Sequence, residues 1–239
     1  MDKCLSEVHS INSPYHGIPY CVLLGRMSLR SIPRTILCVG RNYAEHAKEL
    51  GNPQPLGEPF FFLKPASSLV FPPGPIRLPK GAEVHYEVEL GVVIGSPASR
   101  LKSDKEAMSV IGGYVVAIDL TARNWQNEAK SKGLPWTKAK GCDTFLACGP
   151  FVNASLVPDP DSVTIRLLVN GVEKQRDTTA NMIHKVPKLL QYATSCMSLQ
   201  PGDLLLTGTP KGVGPLKVGD KVTIEGLDTR AHFDVADWQ

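Results

Sequence analysis

The run His85-Tyr86-Glu87-Val88-Glu89-Leu90-Gly91-Val92-Val93-Ile94-Gly95 decides how the rest of the chain is read. Its apolar, β-branched character predicts a strand, in which alternate residues share a face. His85, Glu87 and Glu89 then point one way, and Tyr86, Val88 and Leu90 the other. Two carboxylates on one face of an apolar strand repel each other and lose hydration. A divalent cation removes both costs, and hard cations such as Mg²⁺ take oxygen ligands. The same pattern also describes a half-exposed strand with a solvated acidic face, and this stretch alone fits both.

A second run, Gly112-Gly113-Tyr114-Val115-Val116-Ala117-Ile118-Asp119-Leu120, is another apolar strand, and it ends in a single acid. A lone buried carboxylate is expensive and needs a partner. A third ligand completing the Glu87/Glu89 pair is a sufficient reason for Asp119. Thr121 to Gln126 follow directly and set cationic and amide donors, Arg123 and Gln126 among them, beside that acid.

Bulk properties narrow the function. The 239 residues suit one domain with a small appendage, and 42% hydrophobic content is enough for a core. A mean hydropathy of −0.08, with no apolar run near 18 residues, argues against a membrane span. The net charge is +3. Its Lys and Arg are scattered, which argues against nucleic acid and suits small anionic substrates. Six cysteines (Cys4, Cys21, Cys38, Cys142, Cys148, Cys196) form no CxxC pair or zinc spacing. They read as reduced thiols of an intracellular compartment. Residues 1–34 stand apart: no acid occurs between Glu7 and Glu45, while Arg26, Arg30 and Arg34 recur among serines. That composition suits a mitochondrial transit segment, or a plain disordered extension; Met27 offers an alternative start. Residues 35–239 are then the catalytic domain.

Further along, Ile36–Gly40 predicts a strand and Ala44–Leu50 a short helix closed by Gly51. His46 and Glu49, three apart, share a helical face. A carboxylate beside a histidine orients the ring and raises its basicity, which is what activating a water requires. An incidental pair on an exposed helix fits the spacing too. Asn170-Gly171, between alternating apolar runs, predicts a tight hairpin. Thr207 to Gly214 is a Gly-rich loop without the Gly-Lys-Ser/Thr spacing of a P-loop. It can aim backbone N–H groups and the Thr209 hydroxyl at a carboxylate.

Several motifs occur in a telling order: His-x-Glu-x-Glu-Leu at 85–90, Gly-Gly-Tyr with Asp119-x-Thr-Ala-Arg123, Leu134-Pro135-Trp136 with Lys140-Gly141-x-Asp143-Thr144-Phe145, and Leu206-Thr207-Gly208-Thr209-Pro210-x-Gly212-Val213-Gly214. Together they resemble the fumarylacetoacetate hydrolase family. The Cys38-Val39-Gly40-Arg41-Asn42-Tyr43…His46 stretch resembles its short acylpyruvase/oxaloacetate decarboxylase branch. The resemblance implies a β-rich α+β fold, a mixed β-roll or barrel-like domain with a few short helices, and a homodimer. It implies Mg²⁺, or Mn²⁺, held by Glu87, Glu89 and Asp119. It makes His46 and Glu49 a mobile lid over bound substrate and Lys140 the active-site lysine. Arg41, Arg123, Gln126, Lys140 and Thr209 become candidates for holding the oxygens of a small 2-keto acid. Where the family has Thr-Ser-x-Met-Ile-Phe this chain has His184 for the aromatic, which reads as a packing change. The implied reactions run through a metal-stabilised enolate: hydrolysis of acylpyruvates to pyruvate and a carboxylic acid, and decarboxylation of oxaloacetate. Keto–enol tautomerisation of oxaloacetate, diene-dioate isomerisation and a non-catalytic binding protein are the alternatives.

Overall fold

The structure is a computed structural model and describes residues 33–49, 51 and 57–238. The transit-segment reading of the N-terminus, apart from its last two residues, and the Met27 start lie outside these residues, as do Cys4 and Cys21.

The organising element is an eight-stranded mixed sheet. Its strands run in the order Phe60–Lys64, Ile36–Gly40, Leu204–Leu206, Val88–Ile94, Ile111–Asp119, Leu146–Cys148 and Leu69–Val70, with Val152–Asn153 also paired to Ile111–Asp119. The inner strands are apolar on both faces because both faces are covered. One face carries Val88, Leu90, Val92 and Ile94, with Tyr114, Val116 and Ile118 from the neighbouring strand. A five-stranded sheet, built on the hairpin Thr164–Val169/Val172–Thr178 and on Lys221–Gly226 and Thr229–Asp237, packs Ile165, Leu167 and Ile224 against Val88, Val116 and Ile118. The helix Val186–Cys196 packs Leu189, Leu190 and Ala193 against Leu90, Val92, Ile94 and Tyr114. The other face carries Ile36, Cys38, Val93, Val115, Ala117, Leu146, Leu204 and Leu206, which cluster together as the sheet curls into a half-barrel. By strand alternation Glu89, Asp119 and Lys64 belong to this second face. Sequence dictates the site's location: each of three apolar strands carries one ionisable residue in phase with the concave side.

The run His85–Gly95 is not the single strand that the sequence predicts. Val84–Tyr86 pairs with Thr121–Ala122 and Gly214–Pro215 in a separate three-stranded sheet. Val88–Ile94 pairs with Ile111–Asp119 in the large sheet. Glu87 is the crossing point, and Asp119, at the matching crossing of the partner strand, donates its N–H to the Glu87 carbonyl at 2.8 Å. Both chains change sheets at one level, so the alternation is broken there. His85 therefore leaves the group: its Nε2 lies 2.9 Å from Glu83 Oε1.

Local expectations fare well where the chemistry is local. Asn170 and Gly171 form the hairpin turn with φ of 53° and 78°, the left-handed pair that a type I′ turn demands. The short helix spans Ala44–Glu49, and Gly51 follows at φ 63°. The segment after Asp119, readable as helix or loop, is a helix over Arg123–Ser131. Cys38, Cys142, Cys148 and Cys196 are free thiols; burial pushes that of Cys148 up to about 12.

Candidate metal centre and active site

Glu87, Glu89 and Asp119 converge. Each offers a carboxylate oxygen, these oxygens lie within 4.8 Å of one another, and all three residues are buried. Three buried negative charges at this distance need compensation. Lys140 supplies part of it, with Nζ 2.8 Å from Glu87 Oε2 and 2.6 Å from Asp119 Oδ2. Arg123 pairs with the other Glu87 oxygen. Lys64 Nζ stands 2.8 Å from Asp119 Oδ1, an ion-pair contact without hydrogen-bond geometry, so that oxygen keeps a lone pair to offer. Glu89 has no cation in contact among the described residues. Its Oε2 accepts the Gly208 N–H at 2.7 Å. Burial, then Asp119 and Glu87, push its carboxyl well above the usual range. Burial opposes ionisation of Glu87 too, but Lys140 and Arg123 outweigh it and hold that carboxyl far below the usual range. An all-oxygen donor set, one member uncompensated and one with a lone pair to spare, fits a hard divalent ion such as Mg²⁺ or Mn²⁺.

Lys140 is the cationic hub. Burial disfavours its charge, yet Asp119 and Glu87 hold its ammonium above the ordinary lysine value. Held as a cation, it serves as a hydrogen-bond donor to both carboxylates.

The helix Ala44–Glu49 brings His46 into the cavity. Its Nδ1 lies 3.4 Å from Glu49 Oε2, which leaves Nε2 as the ring nitrogen with the lone pair when Nδ1 carries the proton. Glu49 was expected to raise the basicity of His46. Burial outweighs Glu87 and Glu49 and lowers it below the ordinary 6.5, which favours the neutral imidazole. Glu49 is itself fixed by the Gly212 N–H, at 3.0 and 3.1 Å from its two oxygens. Asn42 ties the base of this helix to the Gly-rich loop by donating to the Thr207 carbonyl at 2.8 Å, and to the chain before the helix Val186–Cys196 by donating to the His184 carbonyl at 2.9 Å.

A cavity of about 40 Å³ is lined by Arg41, His46, Glu87, Glu89, Asp119, Arg123, Gln126, Lys140 and Thr209, with Lys130, Phe62 and Trp136. All ten residues singled out in the sequence sit at or beside it. They are not equally free. Arg123 Nη1 donates to Gln126 Oε1 at 2.7 Å, so these two act as one rigid unit. Thr209 gives its hydroxyl proton to the Val88 carbonyl at 2.8 Å and accepts from Gln175 Nε2 at 2.9 Å. The Gly-rich loop does aim donors at carboxylates, but they are the protein's own: Gly208 serves Glu89 and Gly212 serves Glu49. Gly208 has φ 95°, and a Cβ there would stand 2.8 Å from Asn42 Cβ, so only glycine presents this N–H.

Three contributors escaped the sequence reading. Lys64 is one, although a cation closing Phe60-Phe61-Phe62-Leu63 is as anomalous as Asp119. Gln175, buried in an otherwise exposed strand, accepts the Val88 N–H at 2.9 Å and carries Thr209; no local signal marks it. Lys130 falls seven residues after Arg123, on its helical face, and that spacing was available.

Known proteins resemble the chain over most of its length. Residues 35–232 match the model of the fumarylacetoacetate hydrolase C-terminal domain. A mitochondrial oxaloacetate tautomerase of Schizosaccharomyces pombe is 53% identical over 188 residues, 77% of this chain and 85% of that protein. A mitochondrial oxaloacetate decarboxylase of Dictyostelium discoideum is 50% identical over 84% of this chain and 94% of its own. Among solved structures, fumarylpyruvate hydrolase of Pseudomonas aeruginosa in complex with Mn²⁺ and pyruvate superposes with a TM-score of 0.80 at 33% identity, covering 86% of this chain and 91% of that one. On fold, motif order and identity alike, this chain belongs to the fumarylacetoacetate hydrolase family.

Proposed function

We propose that the protein is a divalent-metal-dependent enzyme that enolises oxaloacetate, interconverting its keto and enol forms. The observation that carries this is a buried histidine facing a cavity whose floor is a three-carboxylate cluster. The names of the relatives support the substrate. Glu87, Glu89 and Asp119 would hold the ion, which when bound supplies Lewis-acid polarisation of a 2-oxo group and acidifies the neighbouring C–H. Nε2 of His46 takes a proton from C3, and a proton is returned to the 2-oxo oxygen, so the net change moves one hydrogen. Lys140 donates to the oxygen on which negative charge develops. The Arg123–Gln126 unit orients the 2-oxo-acid end. Decarboxylation uses the same machinery: the C3–C4 bond breaks, CO₂ leaves, and the electron pair takes a proton at C3 to give pyruvate. The test is enol absorbance and pyruvate release from oxaloacetate with Mg²⁺ and with EDTA. Catalysis abolished by EDTA is expected; rates indifferent to EDTA would remove the carboxylate cluster from the reaction.

The rate should also follow the ionisation of His46. The neutral ring is the active form, and burial lowers its pKa. Activity as kcat/KM should therefore rise with pH below 6.5 and be level by pH 7. His46→Gln should lose about 10²–10⁴-fold and the acid limb with it. A limb centred above pH 7 would contradict a buried, neutral base.

The His46–Glu49 contact favours a second activity, hydrolysis of acylpyruvates, in which the same Nε2 draws a proton from an attacking water. Glu49→Gln should then depress pyruvate release from acetylpyruvate more than it depresses enolisation of oxaloacetate. Equal effects on both would reduce Glu49 to an anchor of its helix. We further propose a mitochondrial location, in keeping with the names of the S. pombe and D. discoideum relatives and the acid-poor composition of residues 1–34. Fusing that segment to a fluorescent reporter tests it, and a diffuse cytoplasmic signal would count against it.

A further inference from the structure

One wall of the cavity carries two cations, Lys130 and Arg41, that the chemistry above does not use. Arg123, Gln126 and Lys130 lie on one face of the helix Arg123–Ser131, at spacings of three and four residues. Arg123 is committed to Glu87 and Gln126. Lys130, half-buried in the cavity wall, has neither an ion-pair nor a hydrogen-bond partner among the described residues, and Arg41 likewise has none. Both rest on aromatic faces instead. Lys130 Nζ stands 5.2 Å from the Trp136 ring centroid, and Arg41 Cζ 5.8 Å from that of Phe60. Phe60 and Trp136 meet edge to face at 5.3 Å, so one two-ring platform carries both cations. Arg41 holds φ 58°, a backbone conformation costly for a non-glycine residue, so its placement is imposed. Burial, then Arg123 and Arg41, lower the Lys130 ammonium from its ordinary value, as like charges facing one space must. Two unpaired, part-buried cations on a rigid platform, opening on the same cavity as the acidic cluster, form a receptor for an anion.

We propose that Lys130, together with Arg41, receives a second carboxylate of the substrate, so that the site selects 2-oxo acids with a distal carboxylate over those ending in an uncharged group. This rests on the reading that the 2-oxo-acid end lies against the acidic cluster. Lys130 is then a specificity-determining residue.

Malate and lactate separate the two ends without turnover. Malate keeps both carboxylates of a four-carbon dicarboxylate, whereas lactate lacks the distal one. Titration calorimetry with Mg²⁺ present should show wild-type protein preferring malate, and Lys130→Gln should shrink that preference about tenfold, in line with loss of one charge-assisted contact. Lys130→Arg should restore it. Lys130→Gln weakening malate and lactate equally, or neither, would overturn the proposal. If wild-type protein leaves oxaloacetate unchanged yet its malate preference depends on Lys130, the carboxylate receptor stands and the proposed reaction falls.

Discussion

Glu89→Gln should make the metal-free protein more stable and leave it nearly inactive. Among the described residues Glu89 is the one member of the acidic cluster with no cation in contact, and it is 1% exposed. Its charge is stabilised by a single N–H, that of Gly208, and opposed by burial and two neighbouring carboxylates. A glutamine keeps an oxygen for the Gly208 N–H and removes the repulsion. The expected gain is about 0.5–2 kcal/mol, or roughly 2–4 °C per kcal/mol for a chain of this size. The same change deletes an anionic ligand, so catalysis should fall about 10²–10³-fold. Mg²⁺ at a hundred times its dissociation constant should add about 2.7 kcal/mol to the wild type and much less to the variant. Thermal melts of both proteins in EDTA and in Mg²⁺ check all of this. A variant that melts lower than wild type in EDTA, or that Mg²⁺ still stabilises fully, would show that Glu89 is there for packing. The opposed signs matter, because a residue kept only for stability would not lose stability by being present.

Which parts of this site can be read from sequence follows from the range of the forces involved. The acids announce themselves because an ionised group inside an apolar strand is an anomaly of the strand itself: Glu89 and Asp119 need no knowledge of the partner strand. The Asn170-Gly171 turn is legible for the same reason, its backbone demand being met within two residues. His85 was misplaced because strand phase was carried through Glu87, where the chain leaves one sheet for another. That crossing is set by pairing with Thr121–Ala122 and Gly214–Pro215, far along the chain. The basicity of His46 was misjudged in the same way. Glu49 is a local neighbour, but the burial that outweighs it comes from the packing of the helix Ala44–Glu49 against the rest of the site. Gln175 is the extreme case: it reaches Val88, 87 residues away, and Thr209, 34 residues away, from a strand whose neighbouring side chains are exposed.

Lys64→Met should be the most damaging single change outside the acidic cluster. Lys64 lies at the end of an edge strand, its side chain fully shielded from solvent. Its ammonium donates to the Leu120 carbonyl at 3.0 Å and to the Lys140 carbonyl, and it faces Asp119 Oδ1 at 2.8 Å. Methionine fills a similar volume, so packing is largely kept. What goes is the donor for two buried carbonyls and one of the two cations beside Asp119. Removing one partner of a buried pair costs about 3–5 kcal/mol, or a melting temperature lower by roughly 6–20 °C. The two carbonyls belong to the turn after Asp119 and to the end of the helix Thr137–Lys140, so the loss also loosens the parts that set the Asp119–Lys140 contact. A divalent ion should reverse part of the damage. With Lys64 absent, Asp119 is under-compensated, and an ion bound at the cluster restores the missing positive charge. Mg²⁺ should therefore raise the melting temperature of Lys64→Met by more than it raises that of the wild type. A deficit unchanged by Mg²⁺ would mean that Asp119 takes no part in holding the ion. A deficit under about 1 kcal/mol in EDTA would mean that Lys64 and Asp119 are neighbours without being partners.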